Sequence, residues 1–284
     1  MPLRAAAVPS EWDQMVPLWL HGRPESTRDV YRPVIQDFKD FVKAKPISRV
    51  SLKDLQDYSD TLGTQKPRTV ERKLSTVKSL LTFCFKTGMI PFDVGRALRT
   101  PKIPDNLTEK ILEEDDMLRM IDMEAVPRNQ VLLRVLYATG IRAAEAANLT
   151  WLNVQPRANG PGQISVLGKG DKIRSIRLSV GTWGALMSLK PSLPQVDTPV
   201  FVRDDGRPMS RTHVTTVVSR AARRAGISKH VSAHWMRHGH ASHAIDRGAP
   251  LSLVRDTLGH SNLKTTSRYI HARPGESSNS YLNV

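Results

Sequence analysis

The stretch from Gly95 to Leu112, GRALRTPKIPDNLTEKIL, most restricts the folds open to this chain. It holds two prolines and no strong apolar period, the composition of a linker. Before it, apolar residues recur at helical spacing; after it, helical runs are interrupted by alternating, strand-like segments. Each part must therefore bury a core of its own, and 284 residues are enough for two. The expected fold class is mainly α with a small β-sheet (α+β). A helical domain is expected over 1–94, a linker over 95–109 and a mixed α/β domain over 110–284.

In the first part, STRDVYRPVIQDFKDFVKA spaces Val30, Val34, Phe38 and Phe41 along one helix face, with Ser26 or Thr27 as cap. SLKDLQDYSDTL opens on a Ser cap and carries Leu52, Leu55, Tyr58 and Leu62. KPRTVERKLSTVKSLLTFCFKTG has the strongest stripe, Val70, Leu74, Val77, Leu81 and Phe85, and Gly88 stops it. Its other face carries Arg68, Arg72, Lys73 and Lys78 beside a single acid, Glu71. Charged faces are commonly just solvated, but one so short of acids also suits phosphate contact. Arg96, Arg99 and Lys102 would let the linker run along DNA.

The charge balance supports an anionic partner. The chain has 42 Lys and Arg against 27 Asp and Glu, a net charge of +15. Residues 1–105 hold 18 of the cations and 12 of the acids, so the excess is spread over both parts and is not a detachable tail. Such a balance points to nucleic acid. The single cysteine, Cys84, sits in an apolar helical stretch as a small core residue, and no disulfide can form within the chain. That fits a reducing compartment. No apolar run reaches 18 residues, and MPLRAAAVPSEW lacks the apolar core of a signal peptide. The expected location is the cytoplasm, at the nucleoid.

In the second part, TEKILEEDDMLRMIDM reads as an acid-capped helix and PRNQVLLRVLYATG as a buried helix ending at Gly140. LTWLNV reads as a strand. QISVLGKGDKIRSIRL reads as a hairpin, with Ile164 and Val166 on one arm, Ile176 and Leu178 on the other, and GKGDK as the turn. Ser210 caps RTHVTTVVSRAARRAG, Ser232 caps AHWMRHGHASHAIDRG, and LSLVRDTLGH and NLKTTSRYIHA follow as helices.

Four islands in this part carry reactive side chains. Arg142 follows the helix-ending glycine in ATGIRAAEAANLTW. LGKGDKIR offers Lys169 or Lys172 at the hairpin turn. SAHWMRHGHASH places His234 and Arg237 three residues apart, and LGHSNLKTTSRYIHARP contains His260 and Tyr269. Singly, each has a structural reading: an arginine paired with Glu145, a solvated lysine, a packed His-x-x-Arg pair, a surface tyrosine. Together they match one chemical requirement. Breaking a phosphodiester without a metal takes an in-line nucleophile, cations on the non-bridging oxygens and an acid for the leaving oxygen. Arginines supply forked donors to phosphate, and histidines donate hydrogen bonds or move protons.

The order Arg, Lys, His-x-x-Arg, Leu-Gly-His, Tyr resembles the tyrosine recombinases, the phage integrases and Xer-type resolvases, over nearly the whole chain. The resemblance implies a helical, SAM-like core-binding domain, a catalytic domain, and a DNA clamp made by both. It implies a site-specific recombinase that cleaves and rejoins DNA through a 3′-phosphotyrosine, giving integration, excision or resolution, with no cofactor, metal or ATP. Carried over by residue, Arg142 and Arg237 would hold the scissile phosphate, and His234 would bond it and help move protons. His260 would support it, and Tyr269 would attack. The hairpin lysine would be the general acid, with Lys169 the better match to the GKG pattern and Lys172 close by. Glu145 would orient Arg142 from behind. Tyr281 stands at the wrong spacing from His260. The implied partners are double-stranded DNA with inverted-repeat core sites and other copies of the chain, a tetramer on two sites. The tail SSNSYLNV would dock on a neighbouring protomer, and a directionality factor is an allowed accessory. Fewer than thirty residues precede the first helical pattern, so the simple, Xer-like organisation is expected over the lambda type with its extra N-terminal domain.

Three rivals share some of these features. His234, His238, His240 and His243 could serve a metal-dependent nuclease, but no acid lies close enough in sequence to complete the ligands. A regulator without chemistry explains the charge and not the reactive islands. A type IB topoisomerase shares the chemistry and relaxes DNA without exchanging strands.

Overall fold

Ser10 and Ser51 begin two helices in the same way. Each side chain accepts from the backbone N–H three residues on, at Asp13 or Asp54, and that aspartate bonds back to the cap. These helices belong to a computed structural model that describes residues 9–104, 106–168, 172–193, 195 and 197–269. Its contacts divide the chain into two compact units, Met1–Pro104 and Asp105–Val284.

The first unit comprises α1 (Glu11–Leu20), α2 (Glu25–Phe41), α3 (Leu52–Thr61), α4 (Pro67–Lys86) and the short α5 (Val94–Ala97). Leu55, Leu74, Val77, Leu81 and Cys84 are fully buried in one core with Trp12, Phe38 and Tyr58. Trp12 and Tyr58 meet Phe38 edge-on, at ring centroids of 6.1 and 5.0 Å. Gly88, at φ +77°, follows the end of α4. Two stripe residues depart from the expected burial: Val30 is 39% exposed and Phe85 43%. The apolar arc is narrower than the sequence period suggests, and both lie at its margins. Helix α2 starts at Glu25 behind Pro24 and takes no side-chain cap from Ser26 or Thr27. The expected linker is ordered at both ends. Gly95 and Leu98 are buried in the first unit, and Leu107 is buried in the second.

The second unit contains α6 (Glu114–Asp122), α7 (Pro127–Thr139), α8 (Ala143–Ala147), strands β1 (Val154–Arg157), β2 (Gly160–Leu167) and β3 (Ile173–Arg177), then α9 (Val180–Met187), α10 (Arg211–Arg224), α11 (Ala233–Asp246), α12 (Leu251–Leu258) and α13 (Leu263–Ser267). The strands form one antiparallel sheet in the order β1-β2-β3, and Ile164 pairs with Ile176 as the alternation requires. LTWLNV is not a strand. Thr150 makes an isolated bridge to Pro199, Trp151–Asn153 form a 3-10 turn, and β1 begins at Val154. The turn lets Trp151 point into the core, where it is buried. Helix α9, capped by Ser179, gives no strong period and is missed by the sequence reading. Ser210 caps α10 through the His213 N–H, whereas Ser232 holds the cap position of α11 without a capping hydrogen bond. No helix among the described residues is long and apolar enough to cross a membrane.

Candidate active site

Two left-handed glycines shape the floor of the site. Gly140 ends α7 at φ +62°, and a Cβ there would come within 2.7 Å of His240 and Leu258. Gly259 ends α12 at φ +64°. Each reverses the chain just before a reactive residue, Arg142 and His260 respectively. The carbonyls beside them receive Arg237: Nη1 donates to Gly140 O and Nη2 to Leu258 O, each at 2.7 Å. Arg237 is only 1% exposed, and no carboxylate pairs with it among the described residues. Burial, and then the nearby Arg142 charge, bring its pKa down to about 10. It remains a cation at neutral pH; Glu145 attracts it only from a distance, being paired with Arg142 and Arg174, and a buried cation with no contacting carboxylate among the described residues is a costly arrangement that an incoming anion relieves.

Arg142 caps α8. Its Nη1 donates to Glu145 Oε1 at 2.8 Å and its backbone N–H to Glu145 Oε2 at 2.8 Å. Glu145 also takes a forked pair from Arg174, at 3.0 and 2.7 Å. Arg174 Nε donates to Thr257 O at 2.7 Å, so β3, α8 and the end of α12 are tied together through one guanidinium. Burial alone would raise the Glu145 carboxyl; Arg174 and Arg142 outweigh it and hold the group below its ordinary range. Glu145 therefore serves two arginines. Arg174 was missed in sequence although a signal exists: it shares a strand face with the buried Ile176, and an arginine on a buried face needs a carboxylate.

His260 follows Gly259, with Nδ1 2.9 Å from Thr266 Oγ1. Burial, then Arg237 and Arg142, depress its pKa to about 4. His234 stands exposed in the first turn of α11. Desolvation by the groups packed around it, then Arg237, Arg142 and Lys110, push its pKa down. Lys110, half-buried in the 3-10 turn Thr108–Lys110, is a second residue the sequence reading did not select.

Tyr269 is 4% exposed and packs in a cluster with Leu107, Ala241, Ile245, Val254 and Leu258. Burial raises its pKa, partly countered by Arg237 and Arg268. Its hydroxyl lies 2.8 Å from Nδ1 of His238, whose ring in turn meets His234 edge-on at 4.4 Å. The remaining two histidines of the cluster have packing roles. His240 Nδ1 bonds Tyr137 O at 2.8 Å, and His243 lies between Tyr137 Oη and Leu112 O. No group of three or more metal-ligating side chains exists among the described residues.

Of the expected site residues, Arg142, Glu145, His234, Arg237, His260 and Tyr269 converge. Lys169 lies outside the described residues, as does the tail, 270–284, with Tyr281. Lys172 is exposed at the base of the hairpin turn, its carbonyl accepting from Gly168 N–H at 2.8 Å. In the first unit, Arg68, Arg72, Arg96, Arg99 and Lys102 are exposed, and their side chains make no hydrogen bond or ion pair among the described residues. Lys73 and Lys78 are engaged internally. Lys73 pairs with Asp37 at 2.8 Å, and Lys78 donates to Leu98 O at 2.5 Å. The acid that Lys73 meets comes from α2, beyond what a single-helix charge pattern can show.

The histidines make folding pH-dependent. His240 and His260, with folded values near 4 against 6.5, bind protons more readily when unfolded. Their contribution is complete above pH 6.5 and is lost as the pH falls towards 4. The melting temperature should decline across that window, and His240→Asn should flatten the decline. A melting temperature constant over the window would contradict the assigned neutral states.

The phage integrase family model matches residues 110–276. Tyrosine recombinase XerC from Thermodesulfovibrio yellowstonii is 29% identical over 266 residues, covering 88% of this chain and 87% of its own length. A lambda integrase dimer bound to a COC′ core site has a similar fold, with a TM-score of 0.75 at 17% identity over 93% of this chain and 95% of that one. A lambda integrase tetramer bound to a Holliday junction has a TM-score of 0.75 at 17% identity, over 94% of this chain and 78% of that one.

Proposed function

We propose, from the premise that this chain belongs to the phage integrase family, that it is a tyrosine recombinase cleaving and rejoining DNA at specific sites through Tyr269. One observation carries the reading: the buried Arg237 guanidinium has carbonyl partners and, among the described residues, no contacting carboxylate, and it stands near Arg142 with His234 and His260 both under its influence. That is a site built for an anion. A phosphodiester placed there receives both arginines on its non-bridging oxygens. His234 and His260, neutral at pH 7, donate hydrogen bonds to it.

Tyr269 Oη attacks phosphorus and forms the 3′-phosphotyrosine as the bond to the 5′ oxygen breaks. The 5′ oxygen takes a proton from a lysine at the hairpin turn. Glu145 keeps Arg142 oriented, and through Arg174 keeps the hairpin registered to the site. The bond energy is conserved in the phosphotyrosine, so rejoining runs the same steps backwards. Arg68, Arg72, Arg96, Arg99 and Lys102 offer free charge to the DNA backbone, and binding should weaken steeply with salt. The working assembly is four copies on two short sites, with the C-terminal tail passing between neighbours and a directionality factor as an optional accessory.

The test is a two-site recombination assay in a chelator without ATP. Exchange of flanking DNA is expected, relaxation without exchange would indicate a topoisomerase, and strict dependence on a divalent metal would overturn the mechanism. The lysine has its own test. Lys169→Ala should fail on ordinary DNA and recover on a 5′-bridging phosphorothiolate, because sulfur leaves without a proton. Lys172→Ala should be close to native, and the reverse pattern would move the role to Lys172.

A further inference from the structure

A buried hydroxyl needs an acceptor for its hydrogen. Among the described residues, the side chain that bonds the Tyr269 hydroxyl is His238, at Nδ1, 2.8 Å away. Tyr269 is buried, and burial keeps it protonated. His238 is neutral: burial, then the neighbouring His234, with which it cannot share a second positive charge, and the charges of Lys110, Arg237 and Arg268 bring its pKa to about 3. A neutral imidazole has one bare nitrogen. Among the described residues no other acceptor meets the hydroxyl, so the tautomer that satisfies it leaves Nδ1 bare to receive the phenolic hydrogen. His234 makes only an edge-on ring contact with His238 and no hydrogen bond to Tyr269.

We propose that His238 is the general base for the attacking tyrosine, a role that rests on the reading of Tyr269 as nucleophile. As the Oη–P bond forms and the P–O5′ bond breaks, the Tyr269 proton passes to His238 Nδ1, and the 5′ oxygen takes its proton from the hairpin lysine. On rejoining, the 5′ hydroxyl returns its proton to the lysine, and His238 gives the proton back to Tyr269.

The surroundings explain why this base is idle without DNA. His234 and Arg237 face it from its own helix, Lys110 from the 3-10 turn, and Arg268 from the segment that carries Tyr269. Lys110, Arg237 and Arg268 disfavour a new positive charge, and His234 and His238 resist carrying one together. The phosphate brings negative charge to Arg142 and Arg237, offsets that repulsion and makes the imidazolium tolerable. Proton transfer is thereby tied to occupancy of the site.

The experiment compares native protein with His238→Asn, in single-turnover cleavage of a suicide substrate between pH 6 and 9. The Asn amide oxygen takes the place of Nδ1 and still accepts the hydrogen bond, but it cannot take the proton. The variant should be roughly 10²-fold slower at pH 7. Its rate should climb with pH more steeply than the native rate, so that the deficit narrows. A variant within about threefold of native at pH 7, or a deficit constant with pH, overturns the proposal. Should the variant lose half-site binding, His238→Ala with added imidazole decides the matter. Restored adduct formation supports the base, and its absence overturns it. Mapping the native adduct in the same series separates the two claims. An adduct away from Tyr269 overturns the nucleophile, whereas an undiminished Asn variant with a native adduct at Tyr269 overturns only His238.

Discussion

Tyr269→Phe should bind its DNA site as tightly as the native chain and form no covalent adduct. The ring stays in its cluster with Leu107, Ala241, Ile245, Val254 and Leu258, so the packing survives. The change removes one hydrogen bond, to His238, worth about 0.5–1.5 kcal/mol net. A folded unit tolerates that cost. The cationic floor, Arg142 and Arg237, is untouched. What disappears is the attacking oxygen, and no partial activity should remain. A suicide substrate read on a denaturing gel checks it, with half-site gel shifts as the binding control. A Phe variant that still forms an adduct refutes the assignment.

Arg237→Ala should have the second-largest effect. Losing one preorganised donor to a developing phosphorane costs about 2.7–4 kcal/mol, or roughly 10²–10³ in rate. The structural consequences partly offset one another. Gly140 O and Leu258 O lose their shared partner, at about 1–3 kcal/mol for each carbonyl left unsatisfied. A buried charge that Glu145 offsets only from a distance is removed at the same time. Stability should therefore change much less than cleavage, and half-site binding should persist through the exposed arginines of the first unit. Arg237→Lys should not rescue the rate, because a single ammonium lacks the rigid fork that meets both carbonyls while facing phosphate. Melting curves and single-turnover rates measured together check this. A rate near native would remove Arg237 from the phosphate site.

Much of this architecture was legible in the sequence for local reasons. The Val70–Leu81 stripe, the Ser51 cap and the Ile164/Ile176 alternation are short-range patterns, and the helices and hairpin follow them. The reactive residues were legible because their order along the chain resembles a known family, and Arg142, His234, Arg237, His260 and Tyr269 meet in the second unit. What stayed hidden depends on contacts between distant elements. Arg174 matters because Glu145, 29 residues earlier, takes its fork. Lys73 gives its charge to Asp37 on another helix. His238 stands in the sequence only as one of four clustered histidines, and its bond to Tyr269, 31 residues later, is a contact no local pattern shows. The 3-10 turn at Trp151 hid for a different reason: LTWLNV has strand composition, and the demand to bury Trp151 outweighed that propensity.

The most direct measurement of the central claim is the identity of the residue joined to DNA. The native protein is incubated with a suicide substrate in a chelator, the adduct is digested with protease, and the nucleotide-bearing peptide is sequenced by mass spectrometry. The account predicts a phosphodiester linkage on Tyr269, formed without metal, with a free 5′ hydroxyl on the released strand. An adduct on Tyr281 or any other residue, or metal-dependent cleavage with no adduct, would contradict it.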